Sequence, residues 1–148
     1  STSGCSDNSG LTAPDATTPF RHTLRVYWED TDAGGVVFYA NYLKFFERAR
    51  TEWLRAAGFG QEQLRSELGL MFVVSETSVR YHRPARLDDE LRITVLPEAP
   101  RHVTLTLAQS ATRGETRLVD GRITIACVDA GTLRPRRIPK PVIETLFA

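Results

Sequence analysis

The sequence predicts an α+β fold in which one long central helix packs on a curved antiparallel sheet. Two patterns predict it. Tyr42, Phe45, Phe46, Ala49, Trp53 and Ala57 recur at spacings of three and four, the period of one helical face. Almost everything after this helix alternates apolar and polar residues in short runs broken by Gly, Pro and Asp, the signature of strands. A helix followed by a run of strands, with no internal repeat and no dividing linker, is an α+β layer arrangement.

Taken in order, residues 1–20 are rich in Ser, Thr, Gly and Asp and have little to bury. A disordered extension is expected there, with the folded domain over 21–148. Residues 21–28 alternate as a first strand and lead into an acidic, glycine-bearing turn. The helix that follows carries Lys44, Glu47, Arg48, Arg50, Glu52 and Arg55 on its remaining positions, and Gly58 stands where a left-handed terminating residue is favoured. Residues 59–68 hold a shorter helical piece ended by Gly69. Strands are expected over 71–81, 91–96, 102–111 and 117–129, with a hairpin turn at Arg113-Gly114-Glu115 and a bulge at Gly121. Residues 142–147 suit a final helical turn.

A chain of 148 residues, 41% hydrophobic and 25% charged, suits one soluble domain with its own core. The net charge of +1 argues against a general nucleic-acid binder, so any phosphate-binding surface must be local. No apolar run approaches the roughly 20 residues that span a bilayer. Cys5 and Cys127 form neither a disulfide framework nor a metal cluster; Cys127, in an apolar run, is expected to be a buried strand residue. Nothing ahead of Cys5 resembles a secretory or lipoprotein signal, so a cytoplasmic protein is expected.

Glu29, Asp30 and Asp32 place three carboxylates within four residues, just before Gly34-Gly35 and the long helix. Two readings stand side by side. Acidic residues and glycines before a helix suit capping and the helix dipole. Equally, a carboxylate beside a helix N-terminus, whose N–H groups can polarise a carbonyl, is half of an acyl-transfer site. There is no G-x-S-x-G elbow for a serine nucleophile. His22, His82 and His102 are scattered without metal-ligand spacing, and the acidic turn lacks that of a calcium loop, so no metal or other cofactor is expected.

The run Val26-Tyr27-Trp28-Glu29-Asp30-Thr31-Asp32-Ala33-Gly34-Gly35-Val36-Val37-Phe38-Tyr39, then Asn41-Tyr42 and Phe46-Glu47-Arg48-Ala49-Arg50-Thr51-Glu52, resembles the small acyl-CoA thioesterases of the hotdog fold. The likeness is nearest to the 4-hydroxybenzoyl-CoA thioesterase family and its branch associated with the Tol–Pal cell-envelope system. It extends more weakly over about residues 21–141. Tyr39 stands where that branch commonly has His, and there the chain is more like the hydroxybenzoyl-CoA enzyme.

The resemblance implies a thioester hydrolase in which Asp32 attacks the thioester carbonyl or activates water, while the Tyr39 backbone N–H polarises the carbonyl oxygen. Gly34 and Gly35 would let the acyl group approach the backbone. A coenzyme A thioester brings phosphates that need cations, and Arg101, His102, Arg134, Arg136, Arg137 and Lys140 are the candidates; a solvated basic surface is the alternative. The implied partners are acyl-CoA, further copies of the chain in a dimer or homotetramer, and an acyl carrier protein or envelope-associated proteins. Competing readings are a hydratase or dehydratase of the same fold, which usually pairs His with an acid, and a non-catalytic acyl-CoA-binding or envelope scaffold.

Overall fold

The computed structural model describes residues 19–98 and 100–147. The polar extension lies outside these residues except for Pro19 and Phe20, and Phe20 already opens the first strand. In β1 (Phe20–Arg25), Phe20, His22 and Leu24 turn inward while Arg21, Thr23 and Arg25 face out. A 3-10 turn, Trp28–Asp30, leads into the acidic loop, and α1 (Asn41–Ala56) follows.

The apolar face of α1 is the expected one. Tyr42, Phe45, Phe46, Ala49 and Trp53 are buried, joined by Asn41 and Leu54, and the helix packs chiefly on β3, then on β1 and β4. It ends as its sequence predicts: Gly58 adopts φ +93°. The Phe59 N–H donates to the Leu54 carbonyl at 2.8 Å and the Gly58 N–H to that of Arg55 at 3.0 Å. This pair of bonds is the Schellman termination, which satisfies the last carbonyls of the helix. Next, α2 (Gln61–Gln63) runs into a π-helical turn, Leu64–Leu68, closed by Gly69 at φ +66°.

The remaining strands are β2 (Leu70–Tyr81), β3 (Glu90–Pro97), β4 (Thr104–Arg113) and β5 (Thr116–Asp129), followed by α3 (Lys140–Leu146). All pairings are antiparallel and the order across the sheet is β1-β3-β4-β5-β2, which leaves β1 and β2 as the edges. Inward residues such as Leu91, Ile93, Val95, Leu105, Leu107, Ile123 and Ile125 form the core against α1. Cys127 is buried among them.

One expectation needs correction. Gly121 stays in register with Gln109 and Val79; the bulges fall instead at Leu118 in β5 and Ser75 in β2. At Leu118 the extra residue is unpaired, and Leu118 and Val119 are both buried there. Gly121 is glycine for a different reason. A Cβ there would lie 2.8 Å from the Ser78 carbonyl oxygen on β2, too close for any side chain, and in ordinary contact with the Phe46 ring at 3.5 Å. Arg50, one of the charged residues on the remaining positions of α1, is half-buried. Its Nη1 donates to Gln109 Oε1 at 2.9 Å, and Gln109 Nε2 donates to the Phe46 carbonyl at 3.0 Å. Burial lowers the pKa of this guanidinium, with Glu47 acting in the opposite sense.

Candidate active site

The acidic turn doubles back on itself. Thr31 bridges Val37, the Asp32 N–H donates to the Val36 carbonyl at 2.8 Å, and the Gly35 N–H returns to the Asp32 carbonyl at 3.0 Å. Gly35 takes φ +79°, which a side chain rarely tolerates. The turn is docked by the Val37 N–H on the Ala85 carbonyl at 2.8 Å, and the buried Tyr42 hydroxyl accepts the Ala85 N–H at 3.0 Å. Helix and turn are therefore held in one frame.

Within that frame the two aspartates differ completely. Asp30 is 5% exposed. Its Oδ2 accepts the Tyr27 N–H and its Oδ1 the Asn41 side-chain amide, each at 2.9 Å. Both oxygens are committed to structure. Asp32 is exposed. Its Oδ1 accepts the Gly34 N–H at 2.8 Å and the Val36 N–H at 3.4 Å, while Oδ2 accepts no hydrogen bond among the described residues. One oxygen thus orients the carboxylate and the other is available. A Cβ on Gly34 would stand 3.3 Å from Asp32 Oδ1, so this glycine protects the arrangement. Asp32 and Gly35 border a cavity of about 380 Å³ together with Trp28, Thr31, Ala33 and Leu87.

Neither aspartate caps α1; Asp30 instead caps the short 3-10 turn by accepting the Tyr27 N–H, so the capping reading fits Asp30 there and not at the long helix. The Asn41 N–H is taken by the Phe38 carbonyl at 2.8 Å, but the N–H groups of Tyr39 and Ala40 find no acceptor among the described residues. They are the open donors of the helix N-terminus. The Tyr39 ring is 63% exposed and packs against Phe38 and Tyr81, with ring centroids 4.8 and 6.2 Å away.

The basic residues separate into two groups. Arg101, His102, Arg137 and Lys140 border a cavity of about 910 Å³ floored by Val103, Ile138 and Ile143. The Ile138 N–H donates to the His102 carbonyl at 3.0 Å, which fastens the C-terminal segment beside the β3–β4 connection. Arg134 and Arg136 do not border that cavity. Arg136 Nη1 donates to the carbonyls of Leu68 and Gly69 at 2.9 and 3.0 Å, closing the π-helical turn, and lies 3.9 Å from Asp129 Oδ1. Arg134 is exposed at the Asp129 turn. The histidines are dispersed: His22 is on β1, His102 at the basic cavity, and His82 Nε2 is 2.6 Å from Asp120 Oδ2. None borders the Asp32 cavity. Among the described residues, no three His, Cys, Asp or Glu side chains come together as a metal site, and no helix is long and apolar enough to cross a membrane.

The family model of the thioesterase-like superfamily matches residues 26–146, from just after β1 through α3. The chain belongs to that superfamily. The acyl-CoA thioester hydrolase YbgC of Escherichia coli O6:H1 is 44% identical over 128 residues, 86% of this chain and 95% of the relative. The acyl-CoA thioesterase YbgC of Haemophilus influenzae is 43% identical over 123 residues, 83% and 90% of the two chains. Among solved structures, a probable thioesterase from Bartonella henselae superposes with a TM-score of 0.79 at 36% identity, covering 82% of this chain and all of its own. The five-stranded sheet with its central helix is the hotdog fold of this superfamily, as the acidic-turn motif implied.

For this thioesterase-like chain, the residues that sequence reasoning missed are those the fold brings in from afar. Trp28 and Leu87 meet at the Asp32 cavity, and Tyr81 reaches Tyr39 from the end of β2. Alternation along 71–81 places Tyr81 on the same strand face as Val79 and says nothing of what that face meets.

Proposed function

We propose that the chain hydrolyses acyl-CoA thioesters: acyl-S-CoA and water give a carboxylic acid and free coenzyme A. The observation that carries this reading is the asymmetry of Asp32, with Oδ1 anchored by turn N–H groups and Oδ2 unengaged at a cavity. Asp32 Oδ2 either attacks the thioester carbonyl, giving an acyl-aspartyl anhydride that water then opens, or takes a proton from an attacking water. In either route negative charge develops on the carbonyl oxygen, and the Tyr39 N–H is the donor that receives it. Collapse of that oxyanion expels the thiolate of coenzyme A, which leaves as the thiol.

The names of the YbgC relatives support the acyl-CoA substrate. Phosphate binding is assigned to the cavity of Arg101, His102, Arg137 and Lys140, where cations from two segments converge. The open edge of β2, with Val74 and Tyr81 exposed, supports edge pairing with a second copy, as dimer or tetramer, which sedimentation would measure. An acyl carrier protein or envelope-associated proteins are further partners under this reading, and the cytoplasm is its compartment. The dispersed histidines disfavour the hydratase alternative.

The test is thiol release from a panel of acyl-CoAs, aliphatic and aromatic, by wild type and by Asp32→Asn. Release by the wild type and its loss in the variant are expected. A wild type that binds acyl-CoA without cleaving any of them would leave the non-catalytic reading standing.

A further inference from the structure

Tyr81 ends the edge strand β2, yet its hydroxyl donates to the Tyr39 carbonyl at 3.1 Å across a separation of 42 residues. The helical donor to the same carbonyl, the Tyr42 N–H, is farther away at 3.4 Å. The phenol is therefore the nearer donor holding this carbonyl in place. Its ring is fixed on two sides, edge-on to Tyr39 at 6.2 Å and tilted against Tyr42 at 5.7 Å. Tyr42 is buried and accepts the Ala85 N–H, so Tyr81 is braced against the same frame that docks the acidic turn.

The Tyr39 carbonyl belongs to the peptide unit whose N–H is that of Ala40. In a trans peptide the two point in opposite directions, so a donor that holds the carbonyl also aims the N–H. A hydrogen bond accepted by the carbonyl also polarises the unit and strengthens its N–H as a donor. The Ala40 N–H has no acceptor among the described residues, and neither has the Tyr39 N–H beside it. Burial, and then the neighbouring Tyr39, raise the Tyr81 phenol above its ordinary range, so it remains a donor at neutral and mildly alkaline pH.

We infer that Tyr81 is a positioning residue for the oxyanion site: it holds the Tyr39–Ala40 peptide so that the Ala40 N–H serves as a second donor beside that of Tyr39. This rests on the thioesterase reading above. It assigns to an edge-strand side chain a part in stabilising the transition state rather than in binding the ground state.

Tyr81→Phe keeps both ring contacts and removes only the hydroxyl. With an acyl-CoA that the wild type hydrolyses, kcat is expected to fall about tenfold while KM stays within about twofold, the split that loss of a transition-state interaction produces. Affinity for a dethia trifluoromethyl-ketone analogue of acyl-CoA, which forms a tetrahedral oxyanion, should fall in parallel with kcat. Affinity for the plain dethia ketone should not change, and neither should the melting temperature. Tyr81→Leu, which also loses the ring, should lower both kcat and melting temperature. An unchanged kcat in Tyr81→Phe, or equal losses of both analogues, overturns the inference while an active wild type and inactive Asp32→Asn leave the thioesterase reading intact. A wild type inactive on every acyl-CoA overturns both.

Discussion

Asp30 and Asp32 have the same carboxylate two positions apart, and their partners divide the work between them. Asp30 spends both oxygens on Tyr27 and Asn41. Asp30→Ala would leave a backbone N–H and a buried side-chain amide without acceptors, and should cost about 1–3 kcal/mol in denaturant unfolding. Asp30→Asn should cost less, because the new amide can accept from Tyr27 and donate to a reoriented Asn41. Asp32→Asn has the opposite profile. The amide oxygen can still accept from Gly34, so the melting temperature should hold, while turnover falls at least about a hundredfold. Steady-state kinetics and melting curves on the three variants separate these outcomes. Turnover lost in Asp30→Asn but kept in Asp32→Asn would place the chemistry on the other carboxylate.

At the scale of elements, β2 and β5 meet at Gly121, where a side chain would clash with the β2 backbone. In Gly121→Ala the new methyl would press on the Ser78 carbonyl, which is backbone and cannot rotate away. A loss of about 1–3 kcal/mol is expected, read as a lower denaturation midpoint. The C-terminal segment that lies along β5 directs Arg137 to the basic cavity and Arg136 to the π-helical turn. Arg137→Ala should raise KM for acyl-CoA and leave a short pantetheine thioester, which lacks the nucleotide, nearly unaffected. Arg136→Ala should do the reverse: it removes the side-chain donor to the Leu68 and Gly69 carbonyls, leaving Gly69 only the Ala130 N–H, and lowers the melting temperature while KM stays near wild type. Equal KM effects from both would show that the two side chains share one phosphate site.

For the molecule as a whole, stability should depend on two depressed carboxylates. Burial pushes Asp89 upward, but the Arg86 backbone N–H and the Arg113 guanidinium, 2.7 Å away, outweigh it and hold the group below its ordinary range. The N–H groups of Thr132 and Gly131 hold Asp129 low at the turn that follows β5. A folded-state pKa below the unfolded one stabilises fully above the unfolded value, about 4, and the contribution disappears as pH falls through the folded value. Melting temperature should therefore decline as the medium is acidified below about pH 4, and Asp89→Asn should flatten part of that decline. A profile identical in the variant would remove Asp89 from the account.

Periodicity in the sequence was enough for the helix face of Tyr42, Phe45, Phe46, Ala49 and Trp53, the Gly58 termination and the alternation of the strands, because each is set by neighbours within a few residues. The acidic-turn motif likewise carried the superfamily and pointed to Asp32. What tertiary structure alone decided were choices between chemically equivalent groups. Composition and spacing alone do not separate Asp30 from Asp32, and it is Asn41 and Tyr27 that claim Asp30; likewise Leu68 and Gly69 claim Arg136 rather than Arg137. The bulge at Leu118 is a matter of register between β4 and β5, which β5 alone does not specify. Tyr81 meets Tyr39 only because β2 and the first turn of α1 converge in space. Local propensities act through adjacent residues, whereas a partner 42 or 68 positions away is selected by the packing of the whole sheet against its helix.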